Sequence, residues 1–215
     1  MTDTALDQQI EKDIVFGAFA PGSRLIEDRL MRRYGASRHA IRAAFTALEG
    51  KHLVAREPNR GVEVVEMTPE VVDELYAVRM ILETSAASIT HLPVRDTDLV
   101  QLKTLCEQHA SAYLDGDFHA VFKLNLLFHN CQFKLCGNDT LVQAIEDFAR
   151  RVQSIRAIKY GDHAHMARII AQHREIVAAM EQCDRDRYVA AVRAHLPASA
   201  DEYRKIYALR HGTPA

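Results

Sequence analysis

The chain has 215 residues, 48% apolar and 26% charged, with a formal net charge of −2, which leaves room for a small module and a second domain with its own core. No apolar run approaches the roughly 18 residues of a membrane span, and Met1 to Gln9 lacks the basic and apolar regions of a secretory leader. Cys106, Cys131, Cys136 and Cys183 form no CxxC pair, so a membrane-spanning helical protein and a disulfide scaffold are excluded and a cytoplasmic chain with reduced thiols is expected.

The first patterned stretch runs from Pro21 to Val65. Leu25, Leu30, Met31 and Tyr34 space an amphipathic segment, and Gly35 supplies the turn that lets a second short helix cross it. Ser37 is suited to cap that helix, and Ile41, Ala44, Phe45 and Leu48 follow the i, i+3, i+4, i+7 spacing of a buried stripe. Arg38 and Arg42 stand four apart on the opposite face, with His39 beside them. One packed face and long cations projecting from the first turns are what a major-groove reader needs, because Arg binds guanine O6 and N7 bidentately. Leu53 to Arg56 and Val62 to Val65 then read as two short strands, joined by Glu57-Pro58-Asn59-Arg60-Gly61 with Arg60 at the tip. The pattern is a winged helix-turn-helix. Between Arg29 and Arg60 eight Lys and Arg residues face only Glu49 and Glu57, a local excess of six positive charges. A charge run alone is usually a solvated face, but helix, turn, wing and charge together point to duplex DNA.

From Thr68 onward the chain reads as helices punctuated by caps. Thr68-Pro69 opens the first and Pro93 closes it. Leu99, Leu102, Cys106, His109 and Tyr113 stripe the next, which stops at Gly116. Asp117 caps a third that reaches Cys136, with Gly137 as its terminator. Leu141, Ile145, Phe148, Val152 and Ile155 line a fourth, ended by Gly161. Two more carry Met166, Ile169, Ile170, Ile176, Val177 and Met180, then Tyr188, Ala191 and Val192. The expected fold is mainly α: a winged helix-turn-helix over residues 1–66, then an all-α bundle of about six helices over 67–215, coupled through the short Val65 to Pro69 junction.

Three histidines in this bundle occupy positions where an apolar residue is expected. His173 interrupts the stripe of Ile169, Ile170, Ile176 and Val177, and His195 extends Tyr188, Ala191 and Val192 by a turn. His129 lies one turn after Asn125 on the same helix face. Taken singly, each reads as a hydrogen-bonded core residue. Converging, three imidazoles and one amide oxygen would suit a divalent transition metal with open positions for water or a ligand carboxylate. Pro197 removes a helical N–H just after His195 and is expected to kink or restart the last helix, a break that could draw His195 off the site.

Pro21-Gly22-Ser23-Arg24-Leu25, Tyr34-Gly35-Ala36-Ser37-Arg38, Ile41-Arg42-Ala43-Ala44, Leu48-Glu49 and Asn59-Arg60-Gly61 resemble the winged N-terminal domain of GntR-type bacterial transcription regulators. The resemblance implies that Ser37, Arg38, His39 and Arg42 meet phosphates and base edges, while Arg60 and Gly61 in the wing approach the minor groove. The chain departs from that pattern at His39-Ala40, where many members carry Thr-Pro, and at Ala43, where many carry Glu. Asn125-Leu126-Leu127-Phe128-His129, Gln172-His173-Arg174-Glu175-Ile176 and Arg193-Ala194-His195-Leu196 are similar to the ligand-domain motifs of the FadR-type subgroup with an FCD domain, in many of whose members one Asp and three His hold a metal. Here Asn125 stands at the Asp position beside His129, His173 and His195. That resemblance implies a divalent transition metal, zinc or nickel, held less tightly because Asn is neutral. Arg79 and Glu83 resemble the Arg-x-x-x-Glu of the family's first ligand-domain helix, where the Arg faces the cavity and would bind a small carboxylate effector. An i, i+4 ion pair explains the same two residues.

These readings converge on a non-enzymatic, ligand-responsive transcription regulator that binds a palindromic DNA operator as a homodimer. A metal-dependent enzyme using His129, His173 and His195 around an open coordination site is the alternative, and it would need a general base that no spacing reveals. A nonspecific architectural DNA protein would leave the helical domain without a purpose.

Overall fold

The computed structural model describes residues 3–57, 61–153, 155 and 161–212, and the chain is mainly α. It divides into two units, Met1–Pro69 with Arg150–Ile158 and Glu70–Ala149 with Lys159–Ala215.

The first unit opens on a helix absent from the expected elements, α1 (Asp3–Val15). Its stripe of Leu6, Ile10 and Ile14 is buried in one core with Ile41, Phe45 and Leu48. So sparse a stripe, one apolar residue per turn among Asp, Gln, Glu and Lys, gains its stability from that tertiary contact rather than from propensity. Lys51 Nζ fastens this helix through Asp7 Oδ2 at 3.1 Å and Glu11 Oε2 at 2.7 Å. Next come β1 (Arg24–Leu25), α2 (Glu27–Tyr34), α3 (Arg38–Gly50), β2 (Val54–Glu57) and β3 (Gly61–Val64). Leu25 belongs to a strand rather than to the helix that follows, because Arg24 and Leu25 pair antiparallel with Glu63 and Val62. The sheet order is β1-β3-β2, and the wing pairs Val54 with Val64 and Arg56 with Val62. Its two strands end one residue away from their expected limits at each end. Gly35 takes φ 61° and its N–H returns to the Met31 carbonyl, closing α2 in the left-handed conformation a glycine accepts most readily. The Ser37 hydroxyl accepts from the Ala40 N–H at 3.2 Å and starts α3.

From Pro69 every described element is a helix: α4 (Pro69–Ile89), α5 (Asp96–Leu114), α6 (Phe118–Lys134), α7 (Asp139–Arg151), α8 (His163–Glu181), α9 (Arg185–His195) and α10 (Pro197–His211). That is seven among the described residues, against six expected. The difference lies at Pro197, which restarts the chain as α10 where its missing N–H is no loss. His195 keeps its place as the last residue of α9, so the break does not draw it away. α4 stops at Ile89 rather than at Pro93, and the Thr90 N–H and hydroxyl both donate to the Ala86 carbonyl, at 3.1 and 2.8 Å. α7 ends at Arg151, Gln153 and Ile155 are again helical, and residues 154 and 156–160, up to the expected stop at Gly161, lie outside the described ones. Asp117 caps α6 by accepting from the Ala120 N–H at 3.0 Å, and Gly137 lies beyond its end at φ 70°. The helical core gathers Ala86, Leu102, Phe128, Ile176, Met180 and Tyr188, among others. Among the described residues no helix is long and apolar enough to cross a membrane.

Candidate functional site

In the first unit, Ser37, Arg38, His39 and Arg42 share the first turns of α3, and all four are exposed. The opposite face is fixed by Ile41, Phe45 and Leu48, each no more than 1% exposed. Arg38 and Arg42 therefore point outward, with 55% and 61% of their side chains accessible. Both are nonetheless held, by the first turn of α2. Arg42 Nε donates to Glu27 Oε1 at 2.8 Å, Arg38 Nη2 donates to Asp28 Oδ1 at 2.7 Å, and Arg38 Nε lies 3.5 Å from Glu27 Oε2. The hydrogen bond it donates to Glu27 raises the pKa of Arg42 above its ordinary value. Glu27 and Asp28 lie just outside the basic stretch that begins at Arg29, so the charge pattern does not reveal them. Two acids opening a helix, where the macrodipole favours them, are the available signal.

Beside α3 lies a groove of about 700 Å³ whose lining includes Arg24, Glu27, Arg42, Arg56 and Gly61. Arg56 is steadied by Glu49 at 3.1 Å and by the Thr46 hydroxyl at 3.3 Å. Gly61 opens β3 at φ 87°, a backbone conformation that favours glycine, beside the Arg24 guanidinium. Arg60, the expected tip of the wing, lies outside the described residues. A carboxylate-held pair of arginines next to a cationic groove can exchange its acidic partners for DNA phosphates or guanine edges.

In the second unit, α6, α8 and α9 bring His129, His173 and His195 together, with one ligand atom from each lying within 4.8 Å of the others. His129 Nε2 and His195 Nε2 are 3.1 Å apart, and the ring of His173 lies 5.1 and 4.8 Å from theirs, centre to centre. A cation about 2.1 Å from each of two nitrogens in tetrahedral geometry sets them about 3.4 Å apart. The 3.1 Å between the two Nε2 atoms lies close to that value, and three neutral imidazoles are a donor set that zinc, nickel and copper accept. Phe128 stacks on His173 at 4.4 Å and closes one side with an apolar wall. Asn125 is buried on α6, one turn ahead of His129 on the same face. Three neighbours were not foreseen from sequence. His109 on α5, 1% exposed, sits 5.0 Å from the ring of His173. Gln132 and Gln172 place their Oε1 atoms 3.1 Å from Nδ1 of His129 and His195, respectively. Their positions beside the histidines in sequence, three residues after His129 and one before His173, were the only signal.

Arg79 is buried on α4 and forms the i, i+4 pair with Glu83, Nη2 to Oε1 at 2.8 Å, with its guanidinium 4.8 Å from the Tyr76 ring centre. Burial lowers its pKa, but Glu83 and Tyr76 outweigh that and the net shift is upward, so the charge is retained in the interior.

Residues 74–198 match the FCD domain model, and residues 2–64 match the model of bacterial regulatory proteins of the gntR family. The HTH-type transcriptional regulator YdhC of Bacillus subtilis is 28% identical over 189 residues, covering 87% of this chain and 84% of that one. The HTH-type transcriptional repressor RspR of Escherichia coli is 24% identical over 197 residues, covering 92% and 86%. Among solved structures, Escherichia coli McbR/YncC superposes with a TM-score of 0.77 at 21% identity over 95% of this chain and 98% of its own, which speaks for the fold.

Proposed function

The chain belongs to the gntR family of bacterial regulatory proteins, in the branch with an FCD domain, and is a DNA-binding transcription regulator; from that premise we propose that it answers a small carboxylate metabolite and grips a palindromic operator as a homodimer. DNA binding is assigned to residues 1–66, through Ser37, Arg38, His39, Arg42, Arg60 and Gly61, and effector binding and dimerisation to residues 67–215. The observation that carries this reading is the outward pair of Arg38 and Arg42 on a helix whose other face is sealed in the core.

The dimer draws support from α4, which is apolar on two sides. Val72, Tyr76, Ala86 and Ala87 face the interior, while Val71, Ile81 and Ile89 are 43%, 66% and 50% exposed. At about 100° per residue those three lie within about 80° of one another, a stripe suited to a second copy of itself. Two heads on one duplex multiply the specificity of a single small module.

The helical domain is assigned a divalent transition metal held by His129, His173 and His195, with the Asn125 amide oxygen as a fourth donor. When bound, such a metal supplies a Lewis-acidic position for a carboxylate. Arg79 is the proposed partner for that ligand's remaining charge, since its fork of donors is not exhausted by one carboxylate. Effector binding shifts the population between states of different operator affinity by its differential binding energy. A metal-dependent enzyme is the weaker reading, because among the described residues no carboxylate joins the three-histidine group to serve as base.

Operator affinity measured against salt tests the DNA assignment. Arg42→Ala should bind more weakly and lower the slope of log affinity on log salt by about 0.9 for each phosphate it leaves unneutralised. Equal affinities with equal slopes would remove Arg42 from the interface. Elemental analysis of the purified protein and of His173→Ala tests the metal, and its absence from both would leave three ordinary core histidines.

A further inference from the structure

We propose that Gln132 and Gln172 are positioning residues that fix the tautomers of His129 and His195, so that both rings offer Nε2 to a cation. The proposal rests on the metal reading above and concerns what prepares the ligands.

At His195 the logic starts from a carbonyl. Gln172 Nε2 donates to the Ala194 backbone oxygen at 3.0 Å, and a carbonyl can only accept. That fixes which end of the amide is oxygen. Gln172 Oε1 therefore faces His195 Nδ1 at 3.1 Å, and the ring nitrogen must carry the proton. A neutral imidazole carries one N–H, so Nε2 of His195 keeps its lone pair.

At His129 the amide lies between a phenol and the imidazole. Burial pushes the Tyr188 phenol up to about 12, so it stays a phenol. The Tyr188 oxygen then accepts from Gln132 Nε2 at 3.3 Å, and Gln132 Oε1 accepts from His129 Nδ1 at 3.1 Å. The Nε2 lone pair of His129 is thereby aimed at the Nε2 lone pair of His195, 3.1 Å away. Two lone pairs at that distance repel, and a cation placed near them and near His173 turns the repulsion into ligation. Partners of this kind on the far nitrogen of a ligating histidine orient the ring and raise its basicity.

The test is zinc affinity of the full-length protein, read by competition with a chromophoric chelator. The variants are Gln132→Met, Gln172→Met, Gln172→Glu and His173→Ala, with thermal melting of each metal-free protein as the folding control. Met keeps the volume of Gln but cannot accept from Nδ1, so each Met variant should bind zinc about 10- to 100-fold more weakly than wild type. Glu at position 172 accepts the same N–H and should recover most of that loss, which a merely structural role would not produce. Gln172 is only half-buried, so the pair of variants there decides the matter even if Gln132→Met fails to fold. Tight zinc binding by wild type and unchanged binding by folded Met variants overturns the role of the glutamines alone. Wild type that binds no more zinc than His173→Ala overturns the metal reading, and this inference with it.

Discussion

Replacing Glu27 by Gln removes the carboxylate that Arg42 meets at 2.8 Å and Arg38 at 3.5 Å, with side-chain volume almost unchanged. In the free protein that carboxylate occupies the guanidinium edges a DNA phosphate would use, so each duplex contact must displace it. A solvent-exposed ion pair shifts an equilibrium by a factor of about 1.4 to 5. Arg42 is the larger contributor, because Asp28 still holds Arg38 at 2.7 Å after the substitution. The affinity of Glu27→Gln for a random-sequence duplex at low salt should therefore rise about two- to tenfold. The gain is electrostatic and should shrink as salt shortens the screening length from about 10 Å at 0.1 M to about 3 Å at 1 M. Fluorescence anisotropy of a labelled random duplex, titrated at several salt concentrations, reads both effects and needs no knowledge of the operator. Equal or weaker binding by a folded Gln variant at low salt would refute the claim that Glu27 competes with DNA for these arginines.

Ile81→Glu, on the outer stripe of α4, should convert the proposed dimer to monomers in sedimentation velocity while circular dichroism stays unchanged; a persistent dimer would clear that face of any role in self-association. Glu83→Gln leaves the buried Arg79 charge without its carboxylate and should cost about 3–5 kcal/mol in urea unfolding, whereas the double change Arg79→Met with Glu83→Leu should cost much less. A Gln variant as stable as wild type would contradict the buried pairing. Burial pushes the Cys106 thiol up to about 11, so its thiolate is scarce near neutral pH and gains population only as pH rises toward that value. Iodoacetamide at about pH 8 should therefore label the exposed Cys183 well before Cys106 in peptide maps, and equal rates would show that Cys106 is reached by solvent.

Where the deciding physics is local, the residues themselves carried the answer. Ser37 and Asp117 read as helix starts because a short oxygen-bearing side chain can reach an N–H three residues on, and both do so. Gly35 and Gly137 read as stops because glycine enters the left-handed region at little cost, and both have positive φ. The stripe of Ile41, Ala44, Phe45 and Leu48 needed only the helical period to place Arg38 and Arg42 on the far side. Tertiary structure decided the rest. α1 has too weak a stripe to announce itself and is held by the core it shares with α3. The i, i+4 spacing of Arg79 and Glu83 is legible, but their burial depends on which face α4 turns inward. His129, His173 and His195 come from three helices, and only packing sets their nitrogens within 4.8 Å. The same holds for the acids that grip α3 and for the amides behind the imidazoles. A side-chain hydrogen bond or ion pair between helices depends on angles and distances that no one-dimensional period encodes.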